Sequence, residues 1–349
     1  MTEVARTNLK SEILNLKFLL VLLVLTAVAA QAQNQQIRIG DIEYFGLKGI
    51  DVEKLKTELP IHEGDELSLD ALPDLIFRTR AAVKKSIGQE PTDVGPVCCD
   101  AHDSWIFYVG LPGQNVGVVR YNSPPKGSIQ FPAEVLTLYG QTMELIGESV
   151  HKQPSEDRSQ GYALSAYPPL RAKQLALREY ATRNSALIRR VLNESADPDQ
   201  RTVAAQLLGY AIHNQAQIRA LVKASRDADE GVRNNAVRAL AVLAESRSSI
   251  AKQIPAGSFV ALLNSGTWKD RNKGSLLLEK LTKTRNPNLL GMVNRRASDS
   301  LIEMARWREF GHAQSARLIL GRMAGMDEER LQRLAHDDPN AILKKFASQ

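Results

Sequence analysis

The second half of the chain repeats one pattern of apolar and polar positions at helical spacing. Two copies of the pattern are offset by 32 residues: Asp229-x-x-Val232-Arg233-x-x-Ala236-x-x-Ala239-Leu240-x-x-Leu243 and Asp197-x-x-Gln200-Arg201-x-x-Ala204-x-x-Leu207-Leu208-x-x-Ala211. A helical pattern that recurs at such a period predicts a solenoid, in which each helical hairpin buries its apolar face on its neighbours.

Weaker copies extend the pattern in both directions. Arg271-x-x-Gly274-x-x-Leu277-Leu278 follows after 38 residues, Ala313-x-x-Ala316-x-x-Ile319-Leu320 follows after 42 more, and a helix from Leu170 is a weak first copy. We predict helix pairs at about 186–195 with 200–212, 217–224 with 231–245, 258–263 with 271–283, and 297–306 with 313–324. Helices at 132–150 and 170–183 precede them and a short end helix at 327–335 follows, which predicts an all-α solenoid of about five hairpins over residues 131–349.

The preceding region, residues 33–111, alternates strand and helix patterns. Apolar positions predict a strand near 37–44, a short helix capped by Asp51, a longer helix from Ser68 that ends at Gly88, and two closing strands at 93–99 and 105–111. Trp105–Val109 is apolar at every position, which is typical of a strand covered on both faces. The predicted fold class is therefore mixed, with a small α+β domain of order β-α-α-β-β, a turn-rich linker at 112–130, and then the solenoid.

The N-terminus has the pattern of an export signal. Lys10 and Lys17 precede the apolar run Phe18–Val28, in which Thr26 is the one polar residue, and Ala30-Gln31-Ala32 has the small-x-small pattern of a cleavage site. We expect residues 1–32 to be removed and the protein to be periplasmic or secreted in a Gram-negative cell envelope; the alternative is an uncleaved anchor. No long apolar stretch follows, so no integral membrane span is expected in the mature chain.

Charge separates the two halves. Residues 37–120 carry 9 basic and 14 acidic side chains, net −5, whereas residues 121–349 carry 33 and 23, net +10. Such asymmetry favours an anionic partner for the basic half. Export argues against nucleic acid and leaves acidic protein segments, cell-wall polymers or lipid headgroups; ordinary solvated surface explains the charge equally well.

Candidate chemistry is sparse. Cys98 and Cys99 are the only cysteines, and because they are adjacent they either close a vicinal disulfide or point to opposite sides of a strand. With Asp100, His102 and Asp103 they crowd one hairpin, but the spacing matches no closed zinc site. The chain has no P-loop, no dinucleotide glycine motif and no H-E-x-x-H. We therefore expect no metal, no cofactor and no enzymatic activity.

The N-terminal pattern resembles a POTRA (polypeptide-transport-associated) domain. The likeness rests on Ile42-Glu43-Tyr44-Phe45-Gly46, on Leu55-x-x-x-Leu59-x-Ile61-x-x-Gly64-Asp65, and on Tyr108-Val109-Gly110. It implies a periplasmic domain that adds an extended partner peptide to a sheet edge. POTRA domains usually precede a membrane barrel or span, and this chain has helices there instead, so binding alone is the expectation carried over.

The helical pattern Asp-x-x-Val-Arg-x-x-Ala-x-x-Ala-Leu is similar to bacterial HEAT repeats. The resemblance implies that Asp197, Arg201, Asp229, Arg233 and Arg271 are structural repeat positions, since the arginine of such repeats pairs with an aspartate of its own or the next unit. An anion-binding arginine ladder is the rival interpretation. The concave face of successive second helices is the expected binding surface, and Gln206, Asn235 and Arg238 are its candidate residues.

The leading functional hypothesis is a non-enzymatic exported scaffold or adaptor that binds a protein or peptide, without nucleic acid as a partner. Two alternatives remain open: an accessory component of outer-membrane protein assembly or secretion with an outer-membrane-associated partner, and a lyase or hydrolase built on a HEAT scaffold. The long polar loop His151–Pro169 contains Tyr162, Leu164 and Tyr167. It is expected either to pack on the solenoid or to serve as a recognition segment.

Overall fold

A computed structural model describes residues 36–152 and 154–348. The predicted export signal, residues 1–32, lies outside the described residues. Within the described ranges, no helix is both long enough and apolar enough to span a membrane.

The N-terminal region is a four-stranded sheet with two helices. Its elements are β1 Gln36–Phe45, α1 Val52–Glu58, β2 Glu66–Ser68, α2 Leu72–Ile87, β3 Asp93–Val97 and β4 Trp105–Gly110. The sheet order is β2-β1-β4-β3, with β1 parallel to β4 and the other pairs antiparallel. Two predicted helix boundaries agree here: Asp51 caps α1, and Gly88 ends α2 in the left-handed conformation at φ 73°. The predicted start of α2 at Ser68 is wrong, because Ser68 ends β2 and makes no side-chain capping bond, and α2 begins at Leu72 after a 3₁₀ turn at Leu69–Ala71.

Strand β2 corrects the predicted order β-α-α-β-β. The turn before it has Gly64 at φ 91°, and the amide of Ile39 donates to the carbonyl of Asp65 at 2.8 Å, which brings Glu66–Ser68 alongside β1. Three residues are too few for an alternating pattern to appear in the sequence, so the strand was not predicted.

Both faces of strand β4 are buried, as the unbroken apolar run predicts. Phe107 and Val109 pack with α1 and α2 in the core of the small domain. Ile106 and Tyr108 point the other way and belong to the solenoid core, together with Phe45 of β1. The solenoid therefore covers the second face of the sheet, and the two regions share one apolar interface.

The C-terminal region is a stack of helical hairpins. Its helices are α3 Ala133–Val150, α4 Pro168–Arg183, α5 Ser185–Glu194, α6 Pro198–Gly209, α7 Gln215–Ala224, α8 Glu230–Ser246, α9 Ser248–Ala251, α10 Trp268–Thr282, α11 Pro287–Ala305, α12 Phe310–Met323, α13 Glu328–Asp337 and α14 Pro339–Ala347. The second helices of successive hairpins, α6, α8, α10, α12 and α14, pack on one another in that order. We call the surface of this row the second-helix face.

Three predicted helices differ from the structure. The segment expected as a helix at 258–263 forms two 3₁₀ turns, Ala256–Ser258 and Val260–Asn264. Helix α11 starts ten residues before the expected 297, because Asn286 caps it and Pro287 occupies its first turn. The single end helix is a hairpin, since Asp338 caps a further helix, α14, whose one buried residue, Ile342, gives little periodic signal.

The linker is an ordered strap along the solenoid. Its backbone amides donate to the carbonyls of three successive inter-helix loops: Gly117 to Asn264 at 2.8 Å, Asn122 to Arg226 at 2.6 Å and Gly127 to Glu194 at 2.8 Å. The strap thus contacts one hairpin about every five residues and runs from the third hairpin back to the first. It returns the chain from the sheet to the start of the stack.

The loop His151–Pro169 packs on the solenoid, one of the two outcomes expected for it. Its strands β5 Glu156–Asp157 and β6 Leu164–Ser165 form a small hairpin with buried Leu164 and Ser165. Tyr162 contacts Tyr210 at the end of α6, with 6.3 Å between ring centroids. We call this hairpin the β5–β6 flap, because it lies over the second-helix face.

Candidate binding pocket on the second-helix face

The repeated arginines form a buried ladder that joins successive hairpins. Arg201 bonds both oxygens of Asp227 at 2.8 and 2.9 Å, and Arg233 bonds both oxygens of Asp270 at 2.9 and 3.2 Å. Arg271 pairs with Glu303 at 3.0 Å. Each arginine also donates to carbonyls of the loop preceding its own helix. At the first two rungs each guanidinium bonds both oxygens of a carboxylate and two backbone carbonyls, which makes the ladder a structural tie.

The aspartates of the repeat pattern, Asp197 and Asp229, cap helices and do not pair with the ladder arginines as the resemblance implies. Asp197 caps α6 by accepting from the amide of Asp199, and Asp229 caps α8 by accepting from the amide of Val232. The carboxylates that pair with the ladder belong to Asp227, Asp270 and Glu303. Asp270 lies directly before Arg271 within α10, and Glu303 lies at the end of α11, so neither matches the position of Asp229.

The sheet and the strap cover the ladder. The ring of Tyr121 in the strap lies 3.9 Å from the guanidinium carbon of Arg233, and its hydroxyl donates to Asp270 at 2.8 Å. Phe45 of β1 lies 4.9 Å from the guanidinium of Arg271. Burial lowers the pKa of Arg271 to about 10 despite the opposing effect of Glu303. These cations are closed off from any partner.

A pocket of about 540 Å³ lies on the second-helix face away from the ladder. Its floor comes from α6, α8 and α10, and its walls come from α3, the start of α4 and the β5–β6 flap. Met143, Ile146 and Val150 of α3, with Val242 of α8, give the pocket an apolar lining. A cavity of this size with an apolar wall and a few polar groups is typical of a ligand site.

All three residues predicted to bind a partner line this one pocket. Gln206 of α6 and Asn235 of α8 are linked by a hydrogen bond of 3.4 Å between their amide groups, and Asn235 also donates to the carbonyl of Thr202. Arg238 of α8 is the third, one turn beyond Asn235. Stacking of the second helices is what brings these separate repeats together.

The flap brings charge into the pocket. Glu156 of β5 pairs with Arg238, and also with Arg158 of the flap itself at 2.7 Å; Arg158 reaches Glu245 at 3.3 Å. Burial favours the neutral form of Glu156, but the two arginines outweigh it and lower its pKa. These pairs fasten the flap to α8 across the pocket.

Lys273 of α10 is the pocket's remaining cation. It lines the pocket, and among the described residues it makes no ion pair or side-chain hydrogen bond. Burial, together with the nearby cations Arg238 and Arg158, lowers its pKa to about 8 despite the opposing effect of Glu156. A half-buried ammonium without a carboxylate partner carries an uncompensated positive charge, which favours the binding of an anion beside it.

The sequence predicted Arg238 and packing of the loop His151–Pro169 as one of two outcomes, but it did not predict Lys273 or the charged flap residues Glu156 and Arg158 as pocket residues. Lys273 occupies the same repeat position as Asn235, 38 residues on, which is the offset between Arg233 and Arg271. The repeat spacing therefore contained the signal, and projecting one predicted residue onto the next unit would have found it. The flap residues Glu156 and Arg158 had no such signal, since they lie outside the repeats.

The sheet docks beside the pocket. Tyr108 of β4 hydrogen-bonds through its hydroxyl to Nδ1 of His312 at 2.7 Å and packs on Trp268, with ring centroids 4.9 Å apart. Trp307 donates to the carbonyl of Tyr44 at 3.2 Å. Burial lowers the pKa of His312 to about 4, and the charge of Lys273 adds to that effect. Lys273, which lines the pocket, is thus close enough to the sheet interface to influence His312.

The cysteine hairpin contacts the end of α3. Cys98 and Cys99 form a vicinal disulfide, one of the two arrangements left open by the sequence. His151 brings an imidazole nitrogen within 4.8 Å of both sulfurs and hydrogen-bonds to Asp103. Zinc is held by thiolates, and two sulfurs bonded to one another are not thiolates. In this form the group fastens the hairpin to α3.

The fold and the pocket define a class: a helical-repeat solenoid with a small mixed sheet docked on it. No protein-family model and no curated protein matches the chain. The chain is similar to a designed armadillo repeat protein at 17% identity, covering 55% of this chain and 91% of that one, with TM-score 0.36. A second designed armadillo repeat protein, in complex with the peptide (KR)4, is 16% identical over 52% of this chain and 94% of that one, with TM-score 0.37. An engineered protein is 16% identical over 62% of this chain and 94% of that one, with TM-score 0.38.

TM-scores below 0.5 give these likenesses no weight in the functional argument. The assignment to a helical-repeat solenoid rests on the consecutive packing of α6, α8, α10, α12 and α14 and on the arginine ladder that joins their hairpins.

Proposed function

We propose that this protein is a non-enzymatic binding scaffold whose second-helix face holds a protein or peptide partner. The observation that carries the proposal is the pocket of about 540 Å³ in which Gln206, Asn235 and Arg238 meet the unpaired Lys273. Repeat arrays present extended surfaces for macromolecules, and a pocket on such a surface gives one partner group a defined place.

Burial of the competing surfaces supports the choice of this face. The strap lies along the loops in front of the second helices, and the sheet covers the starts of α10 and α12. The ladder arginines lie beneath them. The pocket, by contrast, keeps Arg238 accessible, with 35% of its side chain exposed, so a partner can reach the charged groups there.

Two finer assignments belong to the same proposal. We infer that the hairpins are HEAT-like, supported by the recurrent arginine between units, and that the sheet domain is POTRA-like, supported by parallel pairing of β1 with β4 and by Gly46 and Gly64 at positive φ. Export to the periplasm rests on the pattern of residues 1–32. Cell fractionation with N-terminal sequencing of the mature chain tests that step separately.

Site-specific photo-crosslinking in intact cells tests the scaffold function. A photoreactive amino acid replaces Gln206 in the pocket, and a matched control replaces Arg219, which is exposed on α7 in the other layer of the stack. We expect a discrete covalent adduct with one polypeptide at position 206 and none at position 219. Equal adducts at both positions, or none at either, would contradict the proposal.

A further inference from the structure

We infer that the pocket captures the free C-terminal carboxylate of a polypeptide whose last residue is apolar, with Lys273 as the charge partner. This inference rests on the proposed binding function and names the chemistry that the pocket accepts.

The charge balance of the pocket calls for an anion. Arg158 and Arg238 share Glu156, and Arg158 also reaches Glu245. Beyond the pocket the alternation of charge continues through Lys280, which pairs with both Glu245 and Glu279. Lys273 is left over from this network among the described residues. A carboxylate placed beside it supplies the missing charge and a charge-assisted hydrogen bond.

The apolar lining of the pocket favours a ligand that carries an apolar group next to the anion. Met143, Ile146 and Val150 of α3 line the cavity together with Val242 of α8. A phosphate or sulfate alone leaves this surface wetted. A C-terminal residue such as leucine or phenylalanine carries its carboxylate and its apolar side chain on the same α-carbon, so one residue satisfies both features.

Amide side chains of the pocket match a peptide backbone. Gln206, Asn234 and Asn235 line the floor together. Asn234 donates to Asn235, whose amide donates to the carbonyl of Thr202, while Nε2 of Gln206 donates to no acceptor within the described ranges. A peptide unit offers a carbonyl to that donor. A fatty acid offers only its carboxylate, so the amide row favours a polypeptide as the source.

A library experiment tests the inference. Peptides with four randomised C-terminal positions are made twice, once with a free carboxylate and once with a C-terminal amide, and each pool is passed over the immobilised full chain. We expect retention of free-acid peptides that end in apolar residues, with at least tenfold weaker binding of the same sequences as amides. Replacing Lys273→Met should remove the preference for the acid, whereas Lys269→Met, on the exposed start of the same helix, should preserve it.

The outcomes separate this inference from the scaffold proposal. Equal retention of acids and amides, no retention of either, or an unchanged preference in the Lys273→Met variant overturns C-terminal capture. Decanoate that binds the wild-type chain but not the Lys273→Met variant, with no peptide retained by either, overturns it in favour of a free fatty acid. If Lys273→Met leaves the crosslinked adduct at position 206 unchanged, the scaffold function stands and C-terminal capture fails.

Discussion

Two sets of cations occupy the same second helices and differ in their partners. Arg201, Arg233 and Arg271 lie in the ladder, almost fully buried, each with a carboxylate and at least one backbone carbonyl. Lys273 lies two residues after Arg271, in the pocket, and has no carboxylate among the described residues. Two positions on the same helix, α10, therefore differ in role: Arg271 holds neighbouring hairpins together, whereas Lys273 is available to a ligand in the pocket.

The difference teaches how to separate structural from functional charge in a repeat protein. A buried cation that is paired with a carboxylate and closed off from solvent is not available to a partner, and removing it leaves the buried carboxylate without its ion-pair partner. A half-buried cation without a partner lowers the stability of the fold, and binding an anion relieves that cost. Substitutions in the two sets should consequently change stability in opposite directions.

The largest effect is expected at the ladder. Arg233→Ala leaves Asp270 buried with one strong partner gone, and we expect a loss of about 3–5 kcal/mol in the free energy of unfolding. Urea denaturation followed by circular dichroism measures it. The control Arg190→Ala, at an exposed pair on α5, should change stability by less than about 0.5 kcal/mol. A loss at Arg233 as small as that of the control would remove the structural role of the ladder.

The next effect concerns acid stability at the sheet interface. His312 has a folded pKa of about 4 against 6.5 for the free side chain, so the unfolded state binds more protons between these values. The stability that neutral His312 provides is present above pH 6.5 and is lost as the pH falls toward 4. We expect wild type to lose on the order of 2 kcal/mol more than His312→Gln between pH 7 and pH 4.5.

The comparison with His312→Gln isolates this titration. Glu43, whose pKa burial raises to about 7, acts in the opposite direction, because its ionisation destabilises the fold as the pH rises from 4.5 to 7. It is present in both proteins and cancels in the difference. Parallel loss of stability by the two proteins would contradict the assignment to His312.

A smaller effect of opposite sign is expected in the pocket. Lys273→Met removes a half-buried cation that lacks a carboxylate, and at pH 7 we expect the variant to be more stable than wild type by about 1 kcal/mol. The gain should disappear as the pH rises from about 8 to 10.5, because Lys273 then loses its proton in both states. Paired urea titrations at pH 7 and 10.5 measure this, and destabilisation at pH 7 would mean that Lys273 has a structural partner.

The smallest effect is expected at Arg238. Its pair with Glu156 is partly exposed, so Arg238→Met should cost less than about 1 kcal/mol in unfolding free energy. Its consequence should instead be local, with faster hydrogen exchange at the β5–β6 flap, because one of the ion pairs that fasten Glu156 is gone. Unchanged exchange at residues 156–165 would show that the flap is held without this pair.

Helical periodicity predicted the stack, and alternation with turn residues predicted most of the sheet. Gly88 and Asp51 were read correctly because their signals are local. The three-residue β2 and the 3₁₀ segment Val260–Asn264 were not, because neither is long enough to show a period. The path of the strap was unpredictable for another reason: its bonds go to backbone carbonyls 67 to 147 residues away, which leave no mark on side-chain pattern.

The candidate site was predicted in part. Gln206, Asn235 and Arg238 followed from the repeat position of the second helices, and the structure places them in one pocket. Lys273 could have been predicted by the same reasoning, because it lies one repeat offset of 38 residues after Asn235. The pair of Glu156 with Arg238 could not be predicted, because it forms only after a loop outside the repeats folds back over α8.

The ammonium titration of Lys273 tests the contrast between the two sets of cations most directly. Nuclear magnetic resonance of lysine ¹³Cε groups, with the Lys273→Met variant to assign the resonance, follows it in the intact chain. We predict a midpoint near pH 8, well below the ordinary lysine value of 10.5, and an upward shift when a carboxylate ligand occupies the pocket. A midpoint near 10.5 in the free protein would show that Lys273 is already paired or fully hydrated, and would contradict the account.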